Sequence, residues 1–375
     1  MAVLWPINVI SPHLGYLTDA LVLTILILSL YTGSLLKGAT KNSTVSSLFV
    51  IIVGFITLSY LFVDGKKFAD LAEVVRLAGY FVSCIAISGV KIQSSQSKYI
   101  IGAFIFSVTT VALVSVGLYT GLFGDSIFHF EVSRGRGFNA GLSAIYNTRS
   151  LFASRLCLVT PVVVFLLHKG LGNRVLIVLT SIIIYTASLL TLSRGLYVTM
   201  FLATVYTIYL SPSRVVILVM YTAVGCVVIL SFLYFDTAIM DAFYSRVNEL
   251  APSVLASGHG AMLRLEALVV SFENALTNVV GQGFTRLSIP SRSDPVNPHN
   301  VLASITNAGG IVAGTSFIVL VWLVVRKYGL LKKSLMGEFC FLSFMSFIVY
   351  GLTHNNINTL FAWILLGIML SLESS

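Results

Sequence analysis

The chain has 375 residues, of which 57% are hydrophobic and only 10% are charged, and its mean hydropathy is +0.95. Soluble domains carry about 25% charged residues, so this chain has too little polar surface to cover a water-facing globule. The formal net charge of +9 is therefore ascribed to membrane-protein loops and to contacts with phosphate groups before any role in binding nucleic acid.

Repeated apolar runs predict an all-α polytopic membrane protein. Runs of roughly 17–25 residues match the hydrocarbon core of a bilayer, and we expect about eleven transmembrane helices, between about ten and twelve. The predicted spans are, in chain order, 17–36, 46–63, 70–90, 99–122, 150–168, 174–192, 195–211, 214–235, 301–325, 337–353 and 357–372. They form an N-terminal bundle within 1–235 and C-terminal helices within 301–375 of one integral membrane domain.

Residues 236–300 form the main predicted loop between these two groups of spans. Within it, the segment 261–280 is apolar but carries Arg264, Glu266 and Glu273. This composition predicts a short helix that lies in the membrane interface and does not cross the bilayer.

Lysines predict the sidedness of the loops. Connections that follow odd-numbered spans hold eight lysines and the others hold only Lys66 and Lys67. The positive-inside rule then makes the odd connections cytoplasmic and places the 236–300 loop on the other side. The eight are Lys37, Lys41, Lys91, Lys98, Lys169, Lys327, Lys332 and Lys333.

Arginines are distributed in the opposite way. Eight of the thirteen lie in or beside the even connections, where topology disfavours cations: Arg134, Arg136, Arg149, Arg194, Arg246, Arg264, Arg286 and Arg292. Guanidinium groups bind planar anions such as phosphates in a bidentate manner, so a phosphate-binding role is predicted. The alternative is that single arginines extend to lipid headgroups.

His299 and Asn300 end the polar stretch SRSDPVNPHN at 291–300. Asn300 or a nearby residue is predicted to cap the helix that starts the ninth span. The adjacent helix N-terminus would favour a neutral His299 imidazole, which can take a proton from a sugar hydroxyl as a general base. The alternative is a loop histidine that only forms hydrogen bonds.

Five further residues are candidates for the site. Arg194, in Ser193-Arg194-Gly195, stands between two spans with almost no loop, and Arg155 lies within a span; ionisable residues at such depth are costly and often functional. Arg134 and Arg136 alternate with glycines in a loop that suits a phosphate or a glycan, unless it is only solvated. His354 is expected on the same side as His299, in the same cavity or in a simple turn.

Other polar groups have simpler interpretations. Glu73 and Arg76, three residues apart, are expected to neutralise each other, whereas Asp19 has no evident partner. The four cysteines lie in apolar segments at unrelated spacings, so neither disulfides nor a metal site is predicted, and no cofactor motif is present.

Four motifs together resemble the O-antigen ligase and polymerase superfamily: Ser193-Arg194-Gly195, Arg264-x-x-x-Leu268, Gly281-Gln282-Gly283, and His299-Asn300 followed by Gly310. The similarity runs from about 190 to 315, with a looser likeness at 134–138. A second glycine that the family often has, three residues after Gly310, is Ala313 here, and Gly314 follows it.

The resemblance implies a metal-independent glycosyltransferase of GT-C architecture in the bacterial inner membrane, with its site facing the periplasm. Its donor would be a glycan on undecaprenyl pyrophosphate. His299 would be the base and Arg194, Arg264 and Arg136 the pyrophosphate ligands, with Asn300, Arg134, Arg155, Arg292 and His354 in support.

A transporter or flippase for the same lipid-linked glycan is the alternative class, although the sequence lacks the internal repeat common in transporters. Among enzymes, a ligase would use the lipid A core as acceptor, and a polymerase would use another lipid-linked unit and work with a chain-length regulator. The short loop between Arg264 and His299 slightly favours a polymerase.

Overall fold

The chain is helical wherever the structure describes it, apart from turns and short connections. The computed structural model describes residues 15–62, 68–119, 150, 152–160, 173–210, 225, 261–284, 287, 298–331, 334–357 and 359–372. We number its helices α1 Gly15–Thr32, α2 Ser34–Lys41, α3 Ser43–Phe62, α4 Phe68–Ser88, α5 Ser94–Tyr119, α6 Arg174–Leu190, α7 Arg194–Leu210, α8 Ala261–Thr277, α9 Val301–Leu331, α10 Leu335–Gly351 and α11 Leu360–Ser371. Residues 152–160 are also helical.

Several of these helices are able to span a membrane. Within the described ranges, four are long and apolar enough, namely α3, α4, α5 and α9, and the bent pair α1–α2 is a fifth if its parts form one span. Their apolar segments of 19 to 29 residues compare with the roughly 20 needed to cross the hydrocarbon core. The fold is thus that of a helical membrane protein, while the total of about eleven spans stays a prediction.

Most predicted spans coincide with a helix, and some helix starts have a local cause. The Asn173 side chain accepts a hydrogen bond from the Val175 amide at 2.9 Å and starts α6, and Ser334 caps α10 through the Gly337 amide at 3.3 Å. These are ordinary N-caps. The predicted span 214–235 falls outside the described residues except for Gly225, and only 150 and 152–160 of the predicted span 150–168 are described.

Two predicted spans look different in the structure. The first, 17–36, breaks at Gly33, whose φ of 66° ends α1, and α2 continues at 87° to it. The last, 357–372, contains only the 12-residue α11, and all of its residues are buried. A helix of about 12 residues rises only about 18 Å, which makes α11 a core helix of this unit.

The chain groups into two compact units. The first comprises Met1–Gly15 and Tyr99–Val254, and the second comprises Tyr16–Lys98 and Leu255–Ser375. In the second unit, α9 packs along α3 and α8, α11 packs on α4 and α10, and α2 packs on α4.

Trp363 of α11 lies at the centre of the second unit's core. Its side chain is fully buried, and its Nε1 donates to the Ile357 carbonyl at 2.9 Å, so its one polar atom is satisfied. Four phenylalanine rings from α3, α4 and α10 lie 4.8–6.1 Å from its ring centre: Phe49, Phe81, Phe344 and Phe347. These are the spacings that aromatic rings prefer.

An ion-pair group joins α1 to α4. Arg76 Nη1 lies 3.4 Å from a Glu73 carboxylate oxygen, which confirms the predicted neutralisation within α4. Arg76 Nε also lies 3.4 Å from Asp19 of α1, so Asp19 has the partner that the sequence did not reveal. Because charges within apolar helices are costly, this group stabilises one arrangement of α1 against α4.

Candidate functional site

The start of α9 carries the leading candidate residue. The Asn300 side-chain oxygen accepts a hydrogen bond from the Ala303 amide at 3.1 Å, and its backbone carbonyl accepts from the Ser304 amide at 2.9 Å. Asn300 is therefore the N-cap that the sequence predicted. The preceding residue, His299, is exposed, while Pro298 is buried and accepts a bond from Ser304 Oγ at 3.2 Å.

The same asparagine joins this segment to the end of α10. Its Nδ2 donates to the Leu352 carbonyl at 2.9 Å. A Cβ on Gly351 would lie 2.9 Å from Val301 Cγ2, so the start of α9 and the end of α10 are in close packing. The turn that follows α10 contains His354. The start of α9, which follows His299, therefore lies against the end of α10 and the turn that carries His354.

His354 is held in a defined orientation. Its ring stacks on Tyr350 with centroids 4.8 Å apart and planes at 4°, and its Nδ1 lies 3.0 Å from Thr353 Oγ1. Thr353 Oγ1 donates its only proton to the Tyr350 carbonyl at 2.9 Å. In that arrangement Thr353 Oγ1 accepts from His354 Nδ1–H. The stacking and the hydrogen bond therefore fix the orientation of the His354 ring within the turn that follows α10.

Helix α9 is broken near its start. Gly309 has φ −124° and ψ 16°, and Gly310 has φ 71° and ψ −170°, so neither is helical. A Cβ on Gly314 would lie 3.2 Å from Thr306 Cβ, eight positions earlier in the chain. A straight helix separates residues eight positions apart by about 12 Å. The two halves of α9 therefore bend sharply towards each other at the glycines.

The break exposes backbone carbonyls, and the Gly281–Gly283 segment uses them. The Gln282 amide donates to the Asn307 carbonyl at 2.7 Å and the Gly283 amide donates to the Ala308 carbonyl at 3.1 Å. Gly281 has a φ of 87°, and its Cα lies against Ala308 and Gly310 with no room for a side chain. Gly310 therefore allows the close approach of another segment, which a side chain at this position would prevent.

Three buried polar atoms lie around this crossing without a hydrogen-bond partner among the described residues: Ser59 Oγ, Thr306 Oγ1 and Asn307 Oδ1. A Cβ on Gly283 would lie 3.9 Å from Ser59 Oγ, and Asn307 Nδ2 donates to the Gly283 carbonyl at 3.3 Å. Sequence reasoning missed them. The signal was Thr306-Asn307, a polar pair inside an apolar span that only Ala308 separates from two glycines.

The helix α8 confirms the helix predicted around 261–280, and it packs along α9. Arg264 is in its first turn. Ala267 is buried, whereas Leu265 and Val269 are about half exposed. Among the described residues, α8 is not one of the helices apolar enough to span a membrane, so its interfacial position stays a prediction.

Helices α3 and α9 run antiparallel. Val45, near the start of α3, lines a cavity with Val324, near the end of α9, and Gly309 lies against Ile56, further along α3. The end of α9 that carries Lys327 is therefore beside the start of α3.

His299 lies at the opposite end of this unit from Lys327. Helix α10 starts four residues after α9 ends and rises about 25 Å over its 17 residues to reach Gly351, which packs on Val301. The assignment of these two ends to opposite sides of a membrane stays a prediction from the lysine distribution.

Two candidate arginines belong to the first unit. Arg194 is half-buried and is the first residue of α7, which follows α6 through the short turn Thr191–Ser193. Leu192 in that turn has a φ of 51°, and Ser193 Oγ is buried with no partner among the described residues. Arg155 is 7% exposed and its Nη1 donates to Ser154 Oγ at 3.0 Å. Arg194 therefore follows a very short connection between two helices, as predicted.

The remaining candidates, Arg134, Arg136 and Arg292, lie outside the described residues. Within the described ranges, no three His, Cys, Asp or Glu side chains come together as a metal site would require. No protein-family model and no curated protein sequence matches this chain.

Proposed function

We propose that this protein is an inverting membrane glycosyltransferase that moves a glycan from an undecaprenyl-pyrophosphate donor to an acceptor sugar hydroxyl. The proposal rests on the resemblance of its motifs to the O-antigen ligase and polymerase superfamily. The single observation that supports it most is the placement of His299: an exposed imidazole directly before a capped helix, with a second oriented histidine in the neighbouring turn.

In the proposed reaction, the acceptor oxygen attacks the anomeric carbon as the bond from that carbon to the pyrophosphate oxygen breaks. A neutral His299 takes the hydroxyl proton, and undecaprenyl pyrophosphate leaves with the electron pair. Attack opposite the leaving group inverts the anomeric centre. No metal is needed if fixed cations stabilise the charge that develops on the leaving oxygen.

Arginines are the proposed fixed cations that stabilise the leaving pyrophosphate. Arg264 is in the first turn of α8, a helix that packs along the His299 helix α9. Arg194 and Arg136 are the other proposed pyrophosphate ligands, with Arg134, Arg155 and Arg292 in support. A guanidinium stays charged and binds phosphate oxygens in a bidentate manner, which suits a ligand that must hold a diphosphate.

The proposed setting is a bacterial inner membrane, with about eleven spans in a GT-C arrangement and the site on the periplasmic face. Its support is the separation of His299 from the lysine-bearing end of the second unit. Fusing reporters after Lys98 and within 288–297 tests this sidedness, and finding both on the same side of the membrane would contradict it.

The test of the reaction uses purified protein with a lipid-linked donor and a matched acceptor. His299→Ala should lose turnover about 100-fold or more while it keeps binding the donor, because a general base contributes about 10²–10⁴-fold. Normal turnover of this variant would remove His299 from the mechanism. Absence of any product from the wild type with every acceptor class would remove the proposed activity.

A transporter or flippase for the lipid-linked glycan is the second candidate. The observation that favours it is the broken helix α9, with Ser59, Thr306 and Asn307 buried around the break, since discontinuous helices form substrate sites in many transporters. In proteoliposomes, a flippase moves the glycan across the membrane without forming a new glycosidic bond, whereas the proposed enzyme forms that bond with donor and acceptor on one side.

Within the enzyme class, the short loop between Arg264 and His299 slightly favours a polymerase that joins lipid-linked units. A ladder of products from lipid-linked repeat units alone would support a polymerase. Product that appears only when lipid A core is supplied would identify a ligase.

A further inference from the structure

Two cavities meet at the end of the second unit that is opposite His299. One, of about 490 Å³, lies between α2 and the connection after α4, and the other, of about 370 Å³, lies between the start of α3 and the end of α9. Both volumes fall within the roughly 300–1,000 Å³ of small-ligand sites. Lys41 lines both cavities, which makes them neighbouring parts of one surface. We call this surface the basic cleft.

The cleft is strongly cationic. Five basic side chains line it: Lys37, Lys41, Lys91, Arg326 and Lys327. Neither lining contains an aspartate or a glutamate among the described residues. The positive-inside rule accounts for lysines at this end of the helices, but it does not require that residues from four separate chain segments converge on one concave surface.

Two of these cations have a structural role. Lys41 Nζ donates to the Ser371 carbonyl at 2.7 Å and Lys327 Nζ donates to the Leu370 carbonyl at 3.0 Å. Both therefore cap the C-terminal end of α11, where the helix dipole favours cations. That role does not involve Lys37, Lys91 or Arg326, which are exposed.

Apolar side chains flank the cleft on the outside. Leu36 is 72% exposed on α2, and Trp322 and Val325 are about half exposed on α9. The Arg326 guanidinium lies 5.6 Å from the centre of the Trp322 ring. A tryptophan beside a basic residue at the end of an apolar helix is typical of the membrane–water interface. The cleft is thus positioned for a ligand that has both an anionic and an apolar part.

We propose that the basic cleft binds the phosphate headgroup of an anionic glycerophospholipid, with the acyl chains lying along the exposed apolar side chains of α2 and α9. The phosphate lies beside Lys41, which lines both cavities. The other cations of the cleft, Lys37 and Lys91 in one cavity or Arg326 and Lys327 in the other, surround it. Basic pockets between transmembrane helices recognise anionic headgroups in this way. The proposal is independent of the glycosyltransferase activity.

The experiment measures lipid binding to purified full-length protein by native mass spectrometry in a neutral detergent. We expect phosphatidylglycerol to bind at least tenfold more tightly than phosphatidylcholine. Lys37→Gln/Lys91→Gln should weaken the phosphatidylglycerol complex about tenfold, because each lysine near an anionic lipid contributes to binding and neither residue caps α11. Lys98→Gln, which removes an exposed lysine that lines neither cavity, is the matched control and should change it less than twofold.

Three results would overturn the proposal. Equal binding of the two phospholipids would remove the headgroup site. A loss with Lys98→Gln equal to that of the double variant would show general attraction to charge. Displacement of phosphatidylglycerol by inorganic phosphate, but not by chloride at equal ionic strength, would identify a site for free phosphate.

Discussion

The side-chain amide of Asn300 donates a hydrogen bond to the Leu352 carbonyl at 2.9 Å, across 52 positions of the chain. The same side chain caps α9 through the Ala303 amide. One residue therefore begins the helix that follows His299 and holds that helix start against the turn that carries His354. In the proposed reaction, Asn300 is a positioning residue, because it holds the segment that carries His299 in place.

Two substitutions separate these roles of Asn300. Asn300→Ser retains a good capping oxygen but is too short to reach the Leu352 carbonyl, whereas Asn300→Ala loses both bonds. We expect the free energy of unfolding to fall by about 1 kcal/mol for serine and about 2 kcal/mol for alanine. Thermal unfolding in detergent measures both. Equal losses would mean that the cap contributes nothing.

Gly310 should not tolerate a side chain. Its φ is 71°, and a Cβ there would overlap the Val279 carbonyl. Gly310→Ala should lower stability by roughly 2 kcal/mol or more, because strain and overlap add. Gly329→Ala, on the same helix with nothing within 4 Å, is the control and should raise stability by up to about 1 kcal/mol. A neutral Gly310→Ala would contradict the observed break in α9.

Trp363 is expected to be the costliest single side chain to remove from the second unit's core. Trp363→Ala would leave a cavity among four phenylalanine rings and should cost about 3–5 kcal/mol. Trp322→Ala removes the same side chain from a position that is 56% exposed, and it should cost well under half as much. Comparable losses of thermal stability would argue against Trp363 as the centre of the core.

Substitutions at Arg76 and at Asp19 are expected to destabilise the protein to different extents. Arg76→Gln deprives both Asp19 and Glu73 of a cation, so it should destabilise more than Asp19→Asn, which removes one acid. A double-mutant cycle between these two should give a coupling of roughly 0.5–1 kcal/mol, since the groups are about one-third exposed. Asp70→Asn, in the same helix, is the control, and zero coupling would exclude an energetic role for the pair.

The two histidines should differ in activity if the proposed mechanism holds. His299→Ala should reduce transfer about 100-fold or more, and His354→Ala less than about tenfold, with donor affinity unchanged in both. Single-turnover rates with a lipid-linked donor make the comparison. The reverse order would assign the base to His354, whose ring is held by Tyr350 and Thr353.

Much of the helix pattern could be predicted from local sequence. The predicted spans 174–192 and 195–211 correspond to α6 and α7 because long apolar runs and an adjacent cap specify a helix without reference to the rest of the fold. The break at Gly33 was missed, since an isolated glycine in an apolar run leaves the direction of the following helix open.

Part of the candidate site was also predictable. Asn300 is the cap that its sequence context indicated, and His299 is exposed next to it. The buried Asn307 was not identified as part of this region. Its environment comes from Ser59 and Gly283, which are remote in sequence, and no periodicity within α9 reports on them.

By itself, the sequence determined that the chain is helical and lipid-compatible, where most of its described helices lie, and that Glu73 pairs with Arg76. These follow from interactions within a few residues, namely apolar periodicity, capping and i,i+3 contacts. Only the tertiary structure decided that Asp19 joins Arg76, that Asn300 reaches Leu352, and that Gly281–Gly283 crosses the break in α9. Those contacts depend on which helix faces pack together, and that packing is a property of the whole core.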